Sequence, residues 1–179
     1  MNYWLSLGTP KHKLIVGIPT YGRSFTLSGA DKSPQAAASG PGTAGPITKE
    51  AGIMGYQEIC LKVKNSGWTS VNDPNKTIGP YAYSGNQWIG YDDPDMAECK
   101  AKYIINNNLG GAMFWDLPSD DFNNACGGGY YPIIKRVSDT LKGGSTCGPS
   151  SSSVPSVATS SGLTTIITTV AGYWLYFRL

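Results

Sequence analysis

The chain has 179 residues, a length typical of one domain, and its 23 glycines and 12 prolines indicate many turns without reaching the content that marks disorder. A net charge of +2 and a charged fraction of only 15% exclude an electrostatic nucleic-acid binder. The single histidine, His12, excludes a multi-histidine zinc site and most histidine-based catalysis. We therefore expect no metal site, no cofactor and no nucleic-acid partner.

Two apolar runs and two helix signals predict regular structure near the two ends of the folded part. Leu14–Pro19 and Gly111–Trp115 are continuous apolar runs, which are typical of strands buried on both faces. Asp93 and Pro94 begin one helix as its N-cap and first helical residue, and Pro132 begins another. The order strand, long insertion, helix, strand, helix is that of repeating βα units, so we expect an α/β fold with parallel strands.

The long insertion, about residues 24–90, has elements of its own. A helix is predicted from an N-cap at Thr48 to about Val63. The segments 80–83 and 87–89 are separated by Ser-Gly-Asn, which predicts a short hairpin. The insertion is therefore expected to form a small α+β lobe.

The cysteines, at positions 60, 99, 126 and 147, have no C-x-x-C spacing, which disfavours a metal or redox motif. An even number of cysteines in a glycine-rich, lightly charged chain favours disulfides in an oxidising compartment, with buried free thiols as the alternative. Asn75-Lys76-Thr77 is an N-glycosylation sequon and points to the same compartment. We therefore expect an extracellular protein, with Asn75 as its glycosylation site.

The two ends of the chain differ in composition from its centre. Residues 1–5 have neither the basic start nor the apolar core of a secretory signal, so the chain is either cytosolic or lacks its true N-terminus. Residues 143–162 are rich in Ser, Thr, Pro and Gly and predict a flexible linker that is a candidate for O-glycosylation. The apolar tail 163–179 is short for a membrane span but matches a glycosylphosphatidylinositol or other membrane-anchor signal; a tail without function is the alternative.

Three motifs have plainer explanations than the sites that they match. Gly40–Gly45 fits G-x-G-x-x-G, but no strand leads directly into it, so we expect a surface loop and not a dinucleotide site. Asp92–Asp95 is not followed by the spacing of a calcium loop, and helix capping explains it. Asp120 and Asp121 are adjacent, so their side chains are expected to point apart and a loop role is favoured over a catalytic pair.

Aromatic and polar side chains follow the two predicted strands. Tyr21 and Arg23 come after the first strand, and Trp115 ends the second. Ligands of parallel βα proteins bind at the carboxyl ends of the strands, so Trp115 is a candidate stacking floor for a ring. Core packing is the alternative for the same side chain.

Several motifs, in order along residues 2–142, resemble chitinases and chitinase-like proteins of glycoside hydrolase family 18. Lys13–Leu27 (KLIVGIPTYGRSFTL) is similar to the seventh strand of that family's barrel, and Gly110–Trp115 (GGAMFW) to the eighth. The other similar segments are Thr48–Cys60 with the helix of the family's insertion domain, Trp88–Asp93 with the return to the barrel, and 120–126 with the loop after strand eight.

The resemblance implies an α/β chain that holds the last quarter of a TIM (β/α)8 barrel together with an α+β chitinase insertion domain. It assigns the end of barrel helix six and strand seven to 1–23, the insertion domain to 24–90, and barrel helix seven, strand eight and helix eight to 91–142. The linker 143–162 and the apolar tail 163–179 follow.

The family's catalytic signature, D-x-x-D-x-D-x-E, is absent from the sequence. In the family its glutamate is the general acid, and the N-acetyl group of the sugar replaces a protein nucleophile. We therefore expect no catalytic residue in this chain, and no hydrolysis of chitin by the chain alone, since general acid–base catalysis is missing.

The resemblance carries over a set of sugar-binding positions. It implies that Trp115 is the hydrophobic floor under the sugar next to the scissile bond, and that Tyr21 and Glu50 contact the chitin chain. Arg23 matches a position that ties the barrel to the insertion. Ile53 stands where relatives often carry methionine, and apolar contact survives that exchange.

The resemblance also implies a disulfide between Cys60 and Cys126, which crosses the insertion. Cys99 and Cys147 match no cysteine pair of the family, so their pairing stays open. Asp116 follows the tryptophan where relatives mostly have a small or apolar residue, a departure from the family's pattern.

The leading hypothesis is the C-terminal fragment of a secreted chitinase that hydrolyses β-1,4-linked N-acetylglucosamine polymers by substrate-assisted catalysis. A chitin-binding lectin without catalytic activity is the alternative, and a truncated product without function is a third. Either of the first two takes chitin or an N-acetylglucosamine oligosaccharide as its partner. Because two strands cannot close a barrel, we expect both edges of the pair to be unpaired and the chain to be marginally folded and prone to aggregate.

Overall fold

The computed structural model describes residues 1–143 and the pair 176–177. Cys147, nearly all of the predicted linker 143–162 and most of the predicted tail 163–179 lie outside the described residues. No described helix has the length and apolar character needed to cross a membrane.

The described residues form an α/β arrangement of two sheets with helices packed on them. The α-helices are α1 (Asn2–Ser6), α2 (Tyr56–Asn65), α3 (Pro94–Asn106) and α4 (Pro132–Leu141), and single 3-10 turns lie at Lys11–Lys13 and Leu117–Ser119. The strands are β1 (Ile15–Pro19), β2 (Tyr21–Leu27), β3 (Ala38–Pro41), β4 (Ile53–Gly55), β5 (Thr69–Val71), β6 (Tyr81–Ser84), β7 (Gln87–Gly90), β8 (Gly111–Trp115) and β9 (Tyr176–Phe177).

The two apolar runs pair with each other as parallel strands. β1 and β8 are in register from Ile15 opposite Gly111 to Pro19 opposite Trp115, which confirms the parallel arrangement predicted from the βα order. The prediction that β1 is buried on both faces is wrong. Ile18 is buried, with 1% of its surface exposed, but its neighbour Gly17 is exposed to solvent.

The outer edge of β8 is also paired. β9 lies antiparallel beside it, so the expectation that both edges of the β1–β8 pair would be unpaired is wrong for β8. Closing an edge in this way removes a row of free backbone donors and acceptors.

Two amphipathic helices, α3 and α4, cover the parallel pair. Asp93 caps α3 as predicted, since its Oδ1 accepts a hydrogen bond from the Met96 amide at 2.7 Å. Arg136 on α4 donates to Glu98 on α3 at 2.7 Å and ties the two helices together. The buried core between the helices and strands consists of Ile18, Ala97, Ala101, Ile104, Leu109, Ala112, Phe114, Ile133 and Val137.

The segment between β1 and α3 forms a second sheet, in which the strand pairings are antiparallel. Its strand order is β3-β2-β7-β6-β5, and β4 pairs with β2 beside β3. The predicted hairpin is confirmed: β6 and β7 pair antiparallel from Tyr81 opposite Gly90 to Ser84 opposite Gln87. The turn places Gly85 at φ 58°, a conformation that glycine adopts without strain. The predicted Gly40–Gly45 loop is only partly a loop, because Gly40 and Pro41 pair with β2.

α2 packs on one face of this sheet around a small core of Met54, Ile59, Ala82 and Ile89. The prediction that this helix begins after Thr48 is wrong, because α2 begins at Tyr56 and residues 53–55 form β4. Gly52 has φ 84°, which a helix does not allow, and this left-handed residue separates the turn near Thr48 from the strand and the helix.

The two regions are joined by short covalent and hydrogen-bonded links. The predicted disulfide between Cys60 and Cys126 is confirmed; its Cα atoms are 6.1 Å apart, and it connects α2 with the loop that follows β8. The Tyr56 amide donates to the Thr20 carbonyl at 2.9 Å, which holds the start of α2 against the junction of β1 and β2. Cys99 is half-buried on α3.

Candidate functional site

The carboxyl ends of β1 and β8 lie side by side and present an aromatic ring. Pro19 and Trp115 pair at the last position of the parallel register. The Thr20 amide donates to the Trp115 carbonyl at 3.1 Å, and the buried Thr20 hydroxyl donates to the Asp116 carbonyl. These two bonds fix the backbone at Trp115 and at the residue after it, while Trp115 itself is 54% exposed. The strand-end position predicted for Trp115 is confirmed, and core packing does not describe it.

Tyr21, Arg23 and Ile53 follow on one face of the antiparallel sheet. Tyr21 and Arg23 are two residues apart on β2, so their side chains share a face, and Ile53 of β4 pairs directly with Arg23. The guanidinium carbon of Arg23 lies 5.4 Å from the centre of the Tyr21 ring, a cation–π geometry. Arg23 forms no ion pair with any residue in the described part of the chain, so its donors are available to a ligand.

Gly22 is required between these two side chains. A Cβ atom there would lie 2.8 Å from the Gly90 carbonyl oxygen and from side-chain carbons of Ile59 and Ile89. Only glycine allows β2 to approach β7 and α2 this closely. The spacing of Tyr21 and Arg23 on the site face therefore depends on close packing at the opposite face.

Glu50 lies on an exposed turn that a buried carboxylate organises. Glu58, on the first turn of α2, accepts hydrogen bonds from the amides of Ile47 at 2.7 Å, Thr48 at 3.2 Å and Gly55 at 3.2 Å. The Thr48 hydroxyl donates to the same carboxylate. Glu58 therefore fixes both ends of the turn, while the side chain of Glu50 stays in solvent.

Two hollows flank Arg23. The hollow on the β3–β4 side, about 500 Å³, is lined by Arg23, Phe25, Pro41 and Gly52. The hollow on the β6–β7 side, about 370 Å³, is lined by Tyr21 and Arg23 together with aromatic side chains of the hairpin and its return, namely Tyr81, Trp88 and Tyr91. Arg23 is the side chain that both hollows share.

The aromatic side of this surface is rigid. The rings of Tyr81 and Trp88 are stacked, with centres 5.5 Å apart and an angle of 23° between their planes. The indole N–H of Trp88 donates to the Lys32 carbonyl at 3.2 Å, which fixes the ring against the loop after β2. Phe25 adds a third ring 6.1 Å from Trp88.

Asp92, at the base of the 370 Å³ hollow, is a buried member of an ion pair with Lys100. Burial raises the pKa of the Asp92 carboxyl, and the Lys100 ammonium only partly offsets this. Burial likewise raises the pKa of the Tyr91 hydroxyl, which hydrogen-bonds with Ser70 at 3.0 Å. Capping explains Asp93 but not Asp92, which sequence reasoning assigned to the same cap.

Asp120 and Asp121 have structural roles, as the favoured loop interpretation predicted. Asp120 Oδ2 accepts from the Ile134 amide at 3.1 Å and so caps α4 from a distance; burial raises the pKa of this carboxyl. Asp121 accepts from the Ala125 and Cys126 amides at 2.8 and 2.9 Å. Asp121 also lies beside Cys60 and Cys126. Because these two sulfurs form a disulfide with each other, they are not available as metal ligands, and the three residues stabilise the loop.

Sequence reasoning missed three residues at this surface. Tyr81 and Trp88 lie on the same face as Arg23, and their signal was the alternation of side chains in the hairpin. Glu58 was read only as part of a helix; its signal is its place three residues after Gly55, where a carboxylate accepts from the N-cap amide.

The sequence matches the model of the glycosyl hydrolases family 18 over residues 1–120. This match covers most of the folded part, including both parallel strands and the whole antiparallel sheet. The chain belongs to this family.

Known relatives are longer than this chain. It is 46% identical over 143 residues to a protein named probable chitinase 10 from Drosophila melanogaster, an alignment that covers 79% of this chain and 6% of that protein. A structure of human YKL-39, titled as a pseudo-chitinase with retained chitooligosaccharide binding, is 45% identical with a TM-score of 0.74 and covers 79% of this chain and 38% of that one. Catalytic domain 2 of the Ostrinia furnacalis Group II chitinase is 40% identical with a TM-score of 0.78, over 83% of this chain and 39% of that one. The chain therefore spans less than two fifths of each of these proteins.

Proposed function

We propose that this chain is the C-terminal part of a family 18 chitinase domain and supplies one wall of its cleft for chitooligosaccharides. The observation that carries the proposal is the exposed ring of Trp115 at the carboxyl end of the β1–β8 pair. Ligands of parallel βα proteins bind at this end of the strands. A flat aromatic ring there offers a large apolar face for the C–H groups of a pyranose ring.

The side chains next to Trp115 suit the polar parts of the same ligand. N-acetylglucosamine carries hydroxyl groups and an acetamide, whose oxygens accept hydrogen bonds from a guanidinium such as that of Arg23. The Tyr21 ring stacks with the Arg23 guanidinium, and Ile53, paired with Arg23 on the neighbouring strand, offers an apolar surface to the same ligand. Glu50, exposed on the turn that Glu58 fixes, offers a carboxylate as acceptor for sugar hydroxyls.

The proposed architecture is the last quarter of a (β/α)8 barrel with an α+β insertion domain. In this arrangement β1 and β8 act as strands seven and eight, and the sheet β2–β7 with α2 is the insertion. The general acid lies in a segment outside the 179 residues, so the complete domain hydrolyses β-1,4 bonds and this chain alone does not.

A chitin-binding lectin is the second candidate. It is favoured by the similarity to human YKL-39, which is described as a pseudo-chitinase that retains chitooligosaccharide binding. The two candidates use the same Trp115 surface and differ only in the residue that ends the catalytic signature upstream. An upstream reading frame that encodes a glutamate at that position identifies the enzyme, and any other residue there identifies the lectin.

The extracellular location predicted from composition is part of the proposal. It is supported by the Cys60–Cys126 disulfide, since disulfides form and persist in oxidising compartments. Attachment to a membrane through residues 163–179 remains a separate proposal, because most of these residues lie outside the described structure.

Isothermal titration calorimetry of the full chain with chitopentaose tests the proposed binding site. Trp115→Ala is expected to weaken binding about 30-fold, since loss of an aromatic anchor costs about 2 kcal/mol or more. Trp4→Ala is the matched control, because Trp4 is 56% exposed but lies on α1. Equal affinities for the two variants would contradict the proposed site.

Hydrolysis of a fluorogenic chitobiose substrate tests the proposal that the general acid lies outside this chain. The full chain is expected to release no more fluorophore than its Trp115→Ala variant. Turnover by the wild-type chain above that control would show that the catalytic group lies within these 179 residues.

A further inference from the structure

The loop between β5 and β6, residues 72–80, contains the single Asn-x-Ser/Thr sequence of the chain, Asn75-Lys76-Thr77. Asn75 and Thr77 are both exposed. The Asn75 carboxamide makes no hydrogen bond within the described residues, so its nitrogen is free to carry a substituent.

The backbone around Asn75 is held without using its side chain. Asp73 accepts hydrogen bonds from the amides of Asn75 at 3.0 Å and Thr77 at 2.8 Å. These bonds, with that of the Thr77 hydroxyl, lower the pKa of the Asp73 carboxyl to about 2. Lys76, between the two sequon residues, has φ 54°, so the loop turns sharply and carries Asn75 at its outside.

The base of the loop is fixed to the sheet. The Tyr91 amide donates to the carbonyl of the buried Pro80 at 3.1 Å. The loop thus projects from a fixed base, and a group as large as an oligosaccharide fits at Asn75 without displacing a packed side chain.

The surface next to Asn75 is one that benefits from cover. β5 is the last strand of the sheet order, and no strand pairs with its outer edge among the described residues. Open strand edges promote pairing with other chains, and proteins protect them with bulky or polar groups.

We propose that Asn75 carries an N-linked oligosaccharide that shields the open edge of β5. In the transfer step the Asn75 amide nitrogen bonds to the anomeric carbon of a lipid-pyrophosphate-linked oligosaccharide. The bond from that carbon to the pyrophosphate oxygen breaks, the lipid pyrophosphate leaves, and the amide loses one proton. This proposal requires entry into the endoplasmic reticulum but does not depend on sugar binding at Trp115.

Cell-free translation in the presence of endoplasmic-reticulum microsomes tests the modification independently of the stability of the folded chain. The full chain is fused to the C-terminus of a cleavable secretory leader, and only the fraction that is protected from added protease is analysed. One glycan on the wild-type chain, removed by an endoglycosidase for N-linked sugars, is expected. Asn75→Gln and Thr77→Ala should lack it, whereas Thr77→Ser, which keeps the hydroxyl and the sequon, should retain it.

A protected wild-type chain that the endoglycosidase does not change would overturn the proposal, as would a glycan that persists in Asn75→Gln. The shielding role has its own readout in protein secreted from cultured eukaryotic cells. Enzymatic removal of the glycan from native protein is expected to increase aggregation at least several-fold. Equal aggregation before and after removal would refute shielding while leaving the modification in place.

Discussion

The parallel βα region (α1, β1, β8, α3 and α4) and the antiparallel sheet (β2–β7 with α2) bury their apolar side chains in different ways. In the sheet, three pairings join consecutive strands (β2–β3, β5–β6 and β6–β7), β7 returns to pair with β2, and α2 covers a compact core of four side chains. In the βα region, β1 pairs with β8 across more than ninety residues, and α1 has no buried residue. Tyr3, Trp4 and Leu7 are 70%, 56% and 61% exposed, so this part of the βα region presents an apolar surface that no described residue covers.

The two regions stabilise the candidate site to different degrees. Parallel strands in proteins are normally flanked by further strands and covered on both faces, which the β1–β8 pair has only in part. The antiparallel sheet supplies Tyr21, Arg23 and Ile53 from a well-paired framework. Trp115, by contrast, depends on the βα region and on the links between the two regions. Three variants separate these contributions.

The Cys60–Cys126 disulfide is the strongest link and its loss should have the largest effect. It closes a loop with a sequence separation of 66, which corresponds to about 4 kcal/mol in the chain-entropy model. The double variant Cys60→Ala, Cys126→Ala is expected to lose a free energy of unfolding of that order in urea titration. A midpoint and slope equal to those of the wild-type chain would show that the two regions are joined by their other contacts.

Gly22→Ala tests the close packing of the sheet behind the site. The new methyl group meets backbone and side-chain atoms at 2.8 Å, and overpacking of this kind costs about 2 kcal/mol. Gly40→Ala is the control in the same sheet, because nothing lies within 4 Å of its Cβ position. In thermal melts we expect Gly22→Ala to be clearly less stable than Gly40→Ala; equal stability would contradict the close packing at Gly22.

Asp120→Ala tests the helix that covers the parallel pair, with the smallest expected effect. The substitution removes the carboxylate that accepts from the Ile134 amide, and lost helix caps cost about 1 kcal/mol. Urea titration measures the loss, and Asp139→Ala, on the exposed face of α4, is the control. An Asp120→Ala variant as stable as that control would remove the capping role.

The same carboxyl makes a signed prediction for pH. Burial raises the pKa of Asp120 in the folded chain above its unfolded value of 3.8, so folding favours the protonated form. The stability from Asp120 is complete below the unfolded pKa and is lost as pH rises through the folded pKa. The advantage of the wild-type chain over Asp120→Asn should therefore shrink from acid to neutral pH; an advantage that grows with pH would contradict the cause assigned to the shift.

Local signals in the sequence were sufficient for elements whose ends are marked by side chains. Asp93 and Pro94 define the start of α3, and Gly85 marks the turn of the β6–β7 hairpin. The start of α2 was misplaced because Thr48 has the properties of an N-cap but bonds to Glu58 across a turn. Gly52 was the available sign that a helix does not run through this segment.

The features that the sequence did not predict depend on contacts between separate elements. The pairing of β9 with β8 joins residues far apart in the chain. The capping of α4 by Asp120 spans the loop between the 3-10 turn Leu117–Ser119 and α4, so the usual position of a helix cap does not indicate it. At the site, the aromatic rings of Tyr81 and Trp88 join Arg23 only because β2 pairs with β7. The resemblance to family 18 proteins is the source of the proposed sugar-binding positions, and the pairing of β2 with β4 explains why Tyr21, Arg23 and Ile53 share one face.

The indole N–H signals of the chain's 5 tryptophans provide the most direct test of the Trp115 surface. We suggest titrating the ¹⁵N-labelled full chain with chitopentaose and assigning the signals with Trp115→Ala and Trp4→Ala. The account predicts that the Trp115 signal moves most, in a saturable manner, while the Trp4 signal does not move. A Trp115 signal that stays in place while Trp4 or another indole shifts would contradict the proposed sugar-binding surface.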